Sequence, residues 1–241
     1  MKVRRGTRNG HYREFEQDSC LVRRGPVDDV DLGHVPYARH DREPKERPRD
    51  PVERASGFLG CLIAELFELS KLDQKSTEPS FESFSISELL QDVGNEFQLL
   101  AKRKKIELTL DLSNSNIMVI ADIGLIQRVL ENLIENAIKN TPALGRVAIA
   151  IVREAEQVKF MISDTGKGIQ SHEIPHIFER YYQSPSTTDT RNGSAGLGLA
   201  IVKRILDLHH TRIIVNSKLN RGTTFTFYLR QNQPAALAIA G

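Results

Sequence analysis

The sequence predicts an α+β fold, a two-layer sandwich in which a mixed sheet packs on helices, preceded by one long helix and an N-terminal arm. Three observations predict it. In four segments apolar residues recur at spacings of three and four, the period of an amphipathic helix. In six others apolar and polar residues alternate at period two, as in a half-buried strand. The two kinds are interleaved along the chain, so strands and helices must share one core. With 241 residues and 39% hydrophobic content, the chain is long enough to bury that core.

The elements follow in order. Residues 1–54 hold 13 Lys or Arg, 11 Asp or Glu and five of the ten prolines, with neither period. Such a composition buries too little apolar surface to offset chain entropy, so 1–55 reads as a disordered or non-native arm. From Gly57 onward "FLGCLIAELFELSKLD" places Leu59, Leu62, Ile63, Leu66, Phe67 and Leu69 on one broad helical face, giving a helical unit over 56–76. After the polar joint "QKSTEPS" comes a second helix in "FSISELLQDVGNEFQLLAKRKK", with Ser87 placed to cap it. The strands "IELTLDL" and "NIMVIA" follow, then a long helix from about Asp122 to Asn140. Its core stripe is Ile126, Val129, Leu130, Leu133, Ile134 and Ala137, and Asp122 is its cap. The strands "RVAIAIVRE" and "QVKFMISD" lead into a glycine loop and a short helix near "SHEIPHIF". A helix after Gly196 and the strands "RIIVNSK" and "GTTFTFYLR" complete a domain over 81–231, and 232–241 reads as a flexible tail.

Composition excludes several classes. A net charge of +2, from 33 basic and 31 acidic residues, makes no global field for nucleic acid or an anionic membrane. Cys20 and Cys61 suit neither a disulfide framework nor a CxxC metal spacing, which favours a reducing compartment, the cytoplasm. Neither a signal peptide nor a membrane span is expected, since no apolar run reaches about eighteen residues.

Three local patterns carry chemistry. On the long helix, Asn132, Asn136 and Lys139 fall on one face away from the core stripe. Two asparagines inside a helix cost stability that alanine would not. The row is either a solvated face or a set of amide oxygens for a hard cation such as Mg²⁺, beside a lysine for phosphate. In "VKFMISDTGKGI", Asp164 ends a strand ahead of Gly166 and Gly168. That is either a turn or a carboxylate that accepts from an exocyclic amino group while a flat ring lies on the glycines. Adenine fits that description. In "RNGSAGLGLAIVKRIL", Gly193, Gly196 and Gly198 precede a helix, either as a plain bend or to bring an anion onto a helix N-terminus. The glycines match neither G-x-x-x-x-G-K-[ST] nor a strand-fed dinucleotide fingerprint. Residues 183–194 hold few apolar anchors and read as a nucleotide lid, with "IFERYY" either ordinary packing or its hinge.

Taken together, these stretches resemble the catalytic, ATP-binding domain of sensor histidine kinases, the Bergerat fold shared with Hsp90, MutL and type II topoisomerases. "ENLIENAIKNTP" is similar to the N box, "DTGKGI" to the G1 box, "IFERYY" to the F box and "GLGLAI" to the G2 box, and the closing strand matches at "GTTFTFYL". The resemblance implies ATP and Mg²⁺ as cofactors. It implies Asn136 as the Mg²⁺ ligand, Asn132 and Lys139 near the phosphates, and Asp164 on the adenine amino group. Gly166, Gly168, Ile169, Phe178, Tyr182, Gly196, Leu197, Gly198, Leu199 and Thr223 would shape the pocket. Asn132 stands where ATPases of this fold carry a glutamate to activate water; an amide cannot act as that base, which favours transfer to a protein acceptor over hydrolysis. Three features depart from the family: Asn140 where an aromatic or histidine is common beside the nucleotide, Gln183 for a frequent arginine, and "HHTRI" without its usual glycines. Weakened contacts are expected from these departures, not loss of the fold.

The helix "LGCLIAELFELSKLDQ" resembles the second helix of the dimerisation and phosphoacceptor hairpin, but the first helix is not evident upstream. His40-Asp41 loosely echoes the acceptor motif, yet four prolines from Pro36 to Pro51 forbid a continuous helix there. An arm of this kind fused to a family-like helix would follow from a frameshift, misassembled start or truncation of a longer kinase. The implied function is phosphoryl transfer from Mg-ATP to a histidine in trans, on the hairpin of another kinase chain. A response regulator is the downstream partner, and homodimerisation of half a bundle would be weak. Two other readings stay open: an ATP-binding module without transfer, and an anti-sigma-type serine kinase, which normally lacks the "LIAELFELSKLD" helix.

Overall fold

The structure, a computed structural model, describes residues 51–74, 77–112, 117–184 and 195–232. His40, the arm over residues 1–50, Cys20, most of the expected lid (185–194) and the tail from 233 onward lie outside the described residues.

Helix α1 (Pro51–Leu72) begins six residues before the expected Gly57. Proline suits a first helical position, where the missing N–H has no intrahelical acceptor in any case. The chain divides at Cys61 and Leu62 into two units. Of the first, the described part is the opening of α1, and Cys61 there is disulfide-bonded, which corrects the reading that the cysteines do not suit a disulfide. In the second unit, the apolar face predicted for α1 is split. Leu69 and Leu72 are buried in the core, whereas Ile63, Leu66 and Phe67 are exposed.

A four-residue strand, β1 (Glu82–Ser85), precedes α2 (Ile86–Arg103). The N-cap is Ser85, whose Oγ accepts from Glu88 N–H, two residues ahead of the predicted Ser87, which is buried inside the helix. The Ser-x-x-Glu spacing from Ser85 to Glu88 is the signal that places the cap there. Next come β2 (Glu107–Asp111), β3 (Met118–Ala121), α3 (Ile123–Asn140), β4 (Arg146–Glu154), β5 (Gln157–Asp164), α4 (Gly198–Leu208), β6 (Ile214–Lys218) and β7 (Gly222–Gln231). The predicted helix near "SHEIPHIF" is a run of turns joined by bonds such as His176 N–H to Glu173 O. Pro175 has no N–H to extend it.

The strands form a mixed sheet in the order β1-β3-β7-β5-β4-β2. The long β7 gives one edge wholly to β5 and divides the other lengthwise between β6 and β3. Only β2 and β4 run parallel among these pairs. Phe160 and Phe227 are directly opposite in the β5–β7 register, and their rings stack at 4.5 Å. Helix α3 packs on β4 and β5 between α2 and α4, with every residue of its predicted core stripe at 1% exposure or less. The predicted two-layer sandwich is the observed one. Its consequence for function is that the C-terminal end of α3 meets the loop after β5, while the start of α4 meets the middle of α3.

Candidate functional site

Helix α3 starts with Asp122, whose carboxylate accepts Leu125 N–H at 3.0 Å. One face of the helix is sealed in the core, which fixes where the opposite side chains point. Asn132 is no solvated residue: it is 9% exposed. Its amide donates to Arg128 O at 2.8 Å, and its Oδ1 lies against the first residue of α4. Asn136, one turn further on, and Lys139, two turns on, are half-buried. Burial pushes the Lys139 ammonium below its usual range, the nearby Glu135 carboxylate opposes the shift, and Lys104 and Lys167 reinforce it. Several lysines near one margin favour an anion there.

Strand β5 delivers Asp164 to the same margin. Asp164 is 8% exposed, and its Oδ1 accepts from Gly166 N–H at 2.8 Å and from Thr223 N–H at 3.3 Å. Thr223 stands opposite it in the β5–β7 register. Both bonds fall on Oδ1, so Oδ2 keeps its accepting capacity. Desolvation raises the pKa of this carboxyl, against the two backbone bonds that lower it. After Asp164 the loop folds back on α3: Lys167 N–H donates to Asn140 O. Gly168 takes φ +68°, and a Cβ on it would collide with Lys218 O, so both backbone shape and space exclude a side chain. Ile169 N–H then donates to Ser217 Oγ at 2.8 Å, and Ser217 bonds to the Thr223 hydroxyl at 2.9 Å.

The third wall is the start of α4. Leu197 is fully buried and serves as N-cap without a side-chain bond, so the first N–H groups of α4 have no capping oxygen from it. Gly198 packs closely on Asn132: a Cβ on it would stand 2.7 Å from Asn132 Oδ1, so that amide or the start of α4 would have to shift. Gly196 O accepts Tyr181 N–H at 3.0 Å, which ties the segment before α4 to "IFERYY". Tyr181 itself has φ +63°, a strained shape for an aromatic residue. Ile169, Phe178, Tyr182 and Leu199 are half-buried and pack on the core.

The structure brings part of the predicted set together, in three groups: Asn132 with Gly198, Asn136 with Asn140, and Asp164 with Gly166 and Thr223. A shallow cavity of about 450 Å³ opens where the second and third meet, lined by Lys139, Asn140, Thr141, Thr165, Gly166 and Lys167 among others. Asn136, Asp164 and the α4 glycines do not line it. Sequence reasoning missed Glu173, which is 3% exposed and accepts from Gln170 N–H, Tyr182 Oη and Ser184 Oγ. It also missed Ser217. An isolated acid in a turn and a serine in a strand carry no pattern, so neither had a signal.

The donor set suits a cation only in company. Among the described residues no three His, Cys, Asp or Glu side chains come together as a metal site. Mg²⁺ characteristically takes one or two protein ligands and fills its shell with water and phosphate oxygens, and a half-buried amide oxygen beside a lysine fits that habit.

Known proteins share this sequence pattern and fold. Residues 121–233 match the family described as histidine kinase-, DNA gyrase B-, and HSP90-like ATPase. The chain is 35% identical over 178 residues to the sensor histidine kinase RppB of Synechocystis sp., covering 74% of this chain and 39% of that protein. It therefore spans well under half the length of that relative. Among solved structures, full-length ShkA in complex with AMPPNP is similar with a TM-score of 0.68 and 29% identity, over 77% of this chain and 38% of ShkA. The catalytic domain of histidine kinase ThkA is similar with a TM-score of 0.56 and 26% identity, over 63% of this chain and 96% of that domain.

Proposed function

Residues 121–233 belong to the histidine kinase-, DNA gyrase B-, and HSP90-like ATPases, and from that premise we propose that the chain is the ATP-binding, phosphoryl-donating part of a two-component sensor histidine kinase. The observation that carries the reading is the Asp164 carboxylate, locked through Oδ1 by two backbone N–H groups with Oδ2 left to accept. A base with an exocyclic amino group is what such an acceptor, beside Gly166 and Gly168, is suited to hold.

With adenine at Asp164, the phosphates extend toward Asn132, Asn136 and Lys139, and toward the uncapped start of α4. Lys139 and the α4 N–H groups balance phosphate charge, and Asn136 Oδ1 supplies the protein ligand for Mg²⁺. Held there by Asn136, Mg²⁺ would supply neutralisation of phosphate charge. The chain's own part is positioning, since it offers no base at Asn132. Ile169, Phe178, Tyr182, Leu197, Leu199 and Thr223 wall the nucleotide. The acceptor is a histidine on the hairpin of another kinase chain, and a response regulator receives the phosphoryl group from it. The exposed face of α1 at Ile63, Leu66 and Phe67 is where a second chain would pack weakly. The cytoplasm is the compartment in which ATP is available to it. Among the described residues no helix is long and apolar enough to cross a membrane.

The test is incubation of the full chain with γ-labelled ATP and Mg²⁺ and a separately produced phosphoacceptor hairpin. Acid-labile, base-stable label on the hairpin supports the reading. Label on serine, or nucleotide binding with no transfer to any hairpin tried, overturns it.

A further inference from the structure

Asn140 departs from the residues common at its position, and its side chain does something specific. It is the last residue of α3, and its position is fixed from the loop side, because its carbonyl accepts Lys167 N–H and Gly166 packs directly on that carbonyl. From there its amide turns back along the helix. Asn140 Nδ2 donates to Asn136 O at 2.8 Å and to Asn136 Oδ1 at 2.9 Å. Both bonds leave from one amide nitrogen, which has two hydrogens to give, and both end on the one residue.

We infer that Asn140 is a positioning residue for Asn136, holding its carboxamide with the oxygen toward the C-terminal turn of α3 so that one lone pair remains for a divalent cation. The inference rests on the proposed role of Asn136. A flipped Asn136 would set its NH₂ against the Asn140 NH₂, donor against donor, so the bond selects one of two otherwise similar amide orientations. The oxygen has two lone pairs; Asn140 takes one and leaves the other. Partners of this kind, which orient a metal ligand without touching the metal, alter metal affinity by roughly ten- to a hundredfold when removed. An aromatic residue at 140 could not make the bond. The departure therefore substitutes an orienting bond for whatever ring contact the nucleotide would otherwise have there.

Calorimetric titration of the full chain with a non-hydrolysable ATP analogue, in Mg²⁺ and in chelator, tests this. Wild type, Asn140→Leu, Asn136→Ala and the double variant are compared, with thermal melting as the fold control. The expected result is that Asn140→Leu lowers the Mg²⁺-dependent gain in affinity, the ratio of affinities in Mg²⁺ and in chelator, about tenfold, and does not lower that ratio further in the Asn136→Ala background. Asn140→Ser, which can bond back to Asn136 O but cannot reach Oδ1, replaces the leucine variant if that one does not fold, and the same loss of the Mg²⁺-dependent gain is expected of it. An equal loss with and without Mg²⁺, or an undiminished effect of Asn140→Leu on top of Asn136→Ala, overturns the inference while leaving the role of Asn136 standing. A Mg²⁺-dependent gain unchanged by Asn136→Ala overturns both.

Discussion

Gly198 opens α4 directly against the carboxamide of Asn132, close enough that a Cβ on the glycine would stand 2.7 Å from Asn132 Oδ1. The start of α4 and the middle of α3 are therefore held at one fixed separation, and the cleft between them is set by an amide and a missing side chain. In an open helix start, Gly→Ala stabilises by about 0.4–1 kcal/mol. Here the sign is reversed: Gly198→Ala is expected to destabilise by about 1–3 kcal/mol through overpacking. In an Asn132→Ala background the same change is expected to be neutral or stabilising. Urea unfolding of the four proteins of this cycle checks it, and a Gly198→Ala more stable than wild type contradicts it.

Asp164 predicts a separation of binding from stability. Its raised pKa means that the folded state holds the proton more tightly than the unfolded state. The associated stability is fully present below the ordinary value of 3.8 and is lost as pH rises through the folded value. At neutral pH the ionised group is a cost to the nucleotide-free fold. Asp164→Asn retains an oxygen for the Gly166 and Thr223 N–H groups and removes that cost. The variant is expected to melt no lower than wild type at pH 7 while its ATP affinity falls by about ten- to a hundredfold, the worth of one charge-assisted bond. A variant that melts lower at pH 7 but binds ATP normally would remove Asp164 from the site.

His209 predicts an acid-side loss of stability. Its Nδ1 faces Ile205 O at 2.8 Å and its Nε2 faces Asp122 N–H at 3.1 Å, so the neutral ring donates from Nδ1 and accepts at Nε2. Burial pushes its pKa below 6.5, opposed by the Ile205 carbonyl and Asp122; His210 adds to the lowering, and Phe81 packs edge-on against the ring. The unfolded chain then binds the proton more readily, so the stability from His209 is complete above pH 6.5 and declines as pH falls through the folded value. Unfolding midpoints from pH 8 to pH 5 should drop less steeply in His209→Gln than in wild type. Parallel profiles would refute it.

The stacked pair Phe160 and Phe227 lies at the centre of the sheet, both rings fully buried. Phe227→Ala is expected to cost about 3–5 kcal/mol. The experiment is equilibrium unfolding, and a loss under about 1 kcal/mol would mean the ring is not packed as described.

What could be read from the sequence divides along physical lines. Strong periods were legible: α3 and its Asp122 cap, the hairpin of β4 and β5, and β7 lie where alternation and spacing place them. Elements without a period of their own were not. Strand β1 has a single apolar residue, Phe84, and so displays no alternation, and missing it moved the α2 cap from Ser85 to Ser87. The turns near Pro175 carry helix-like spacing but lack the donor that would continue a helix. At the site, Asn132, Asn136, Lys139 and Asp164 were legible as residue types at meaningful spacings. The burial of Asn132 under α4, the capture of Asn136 by Asn140, and the gathering of chain at Glu173 depend on contacts between segments distant in sequence or on side-chain direction, and no period encodes those.

The measurement that bears most directly on the account is nucleotide titration of the wild-type chain by calorimetry, in Mg²⁺ and in chelator, alongside Asn136→Ala. The account predicts saturable ATP binding that strengthens in Mg²⁺, with that strengthening reduced in the variant. Absence of ATP binding by a folded chain, or ATP binding indifferent to both Mg²⁺ and Asn136, would contradict it.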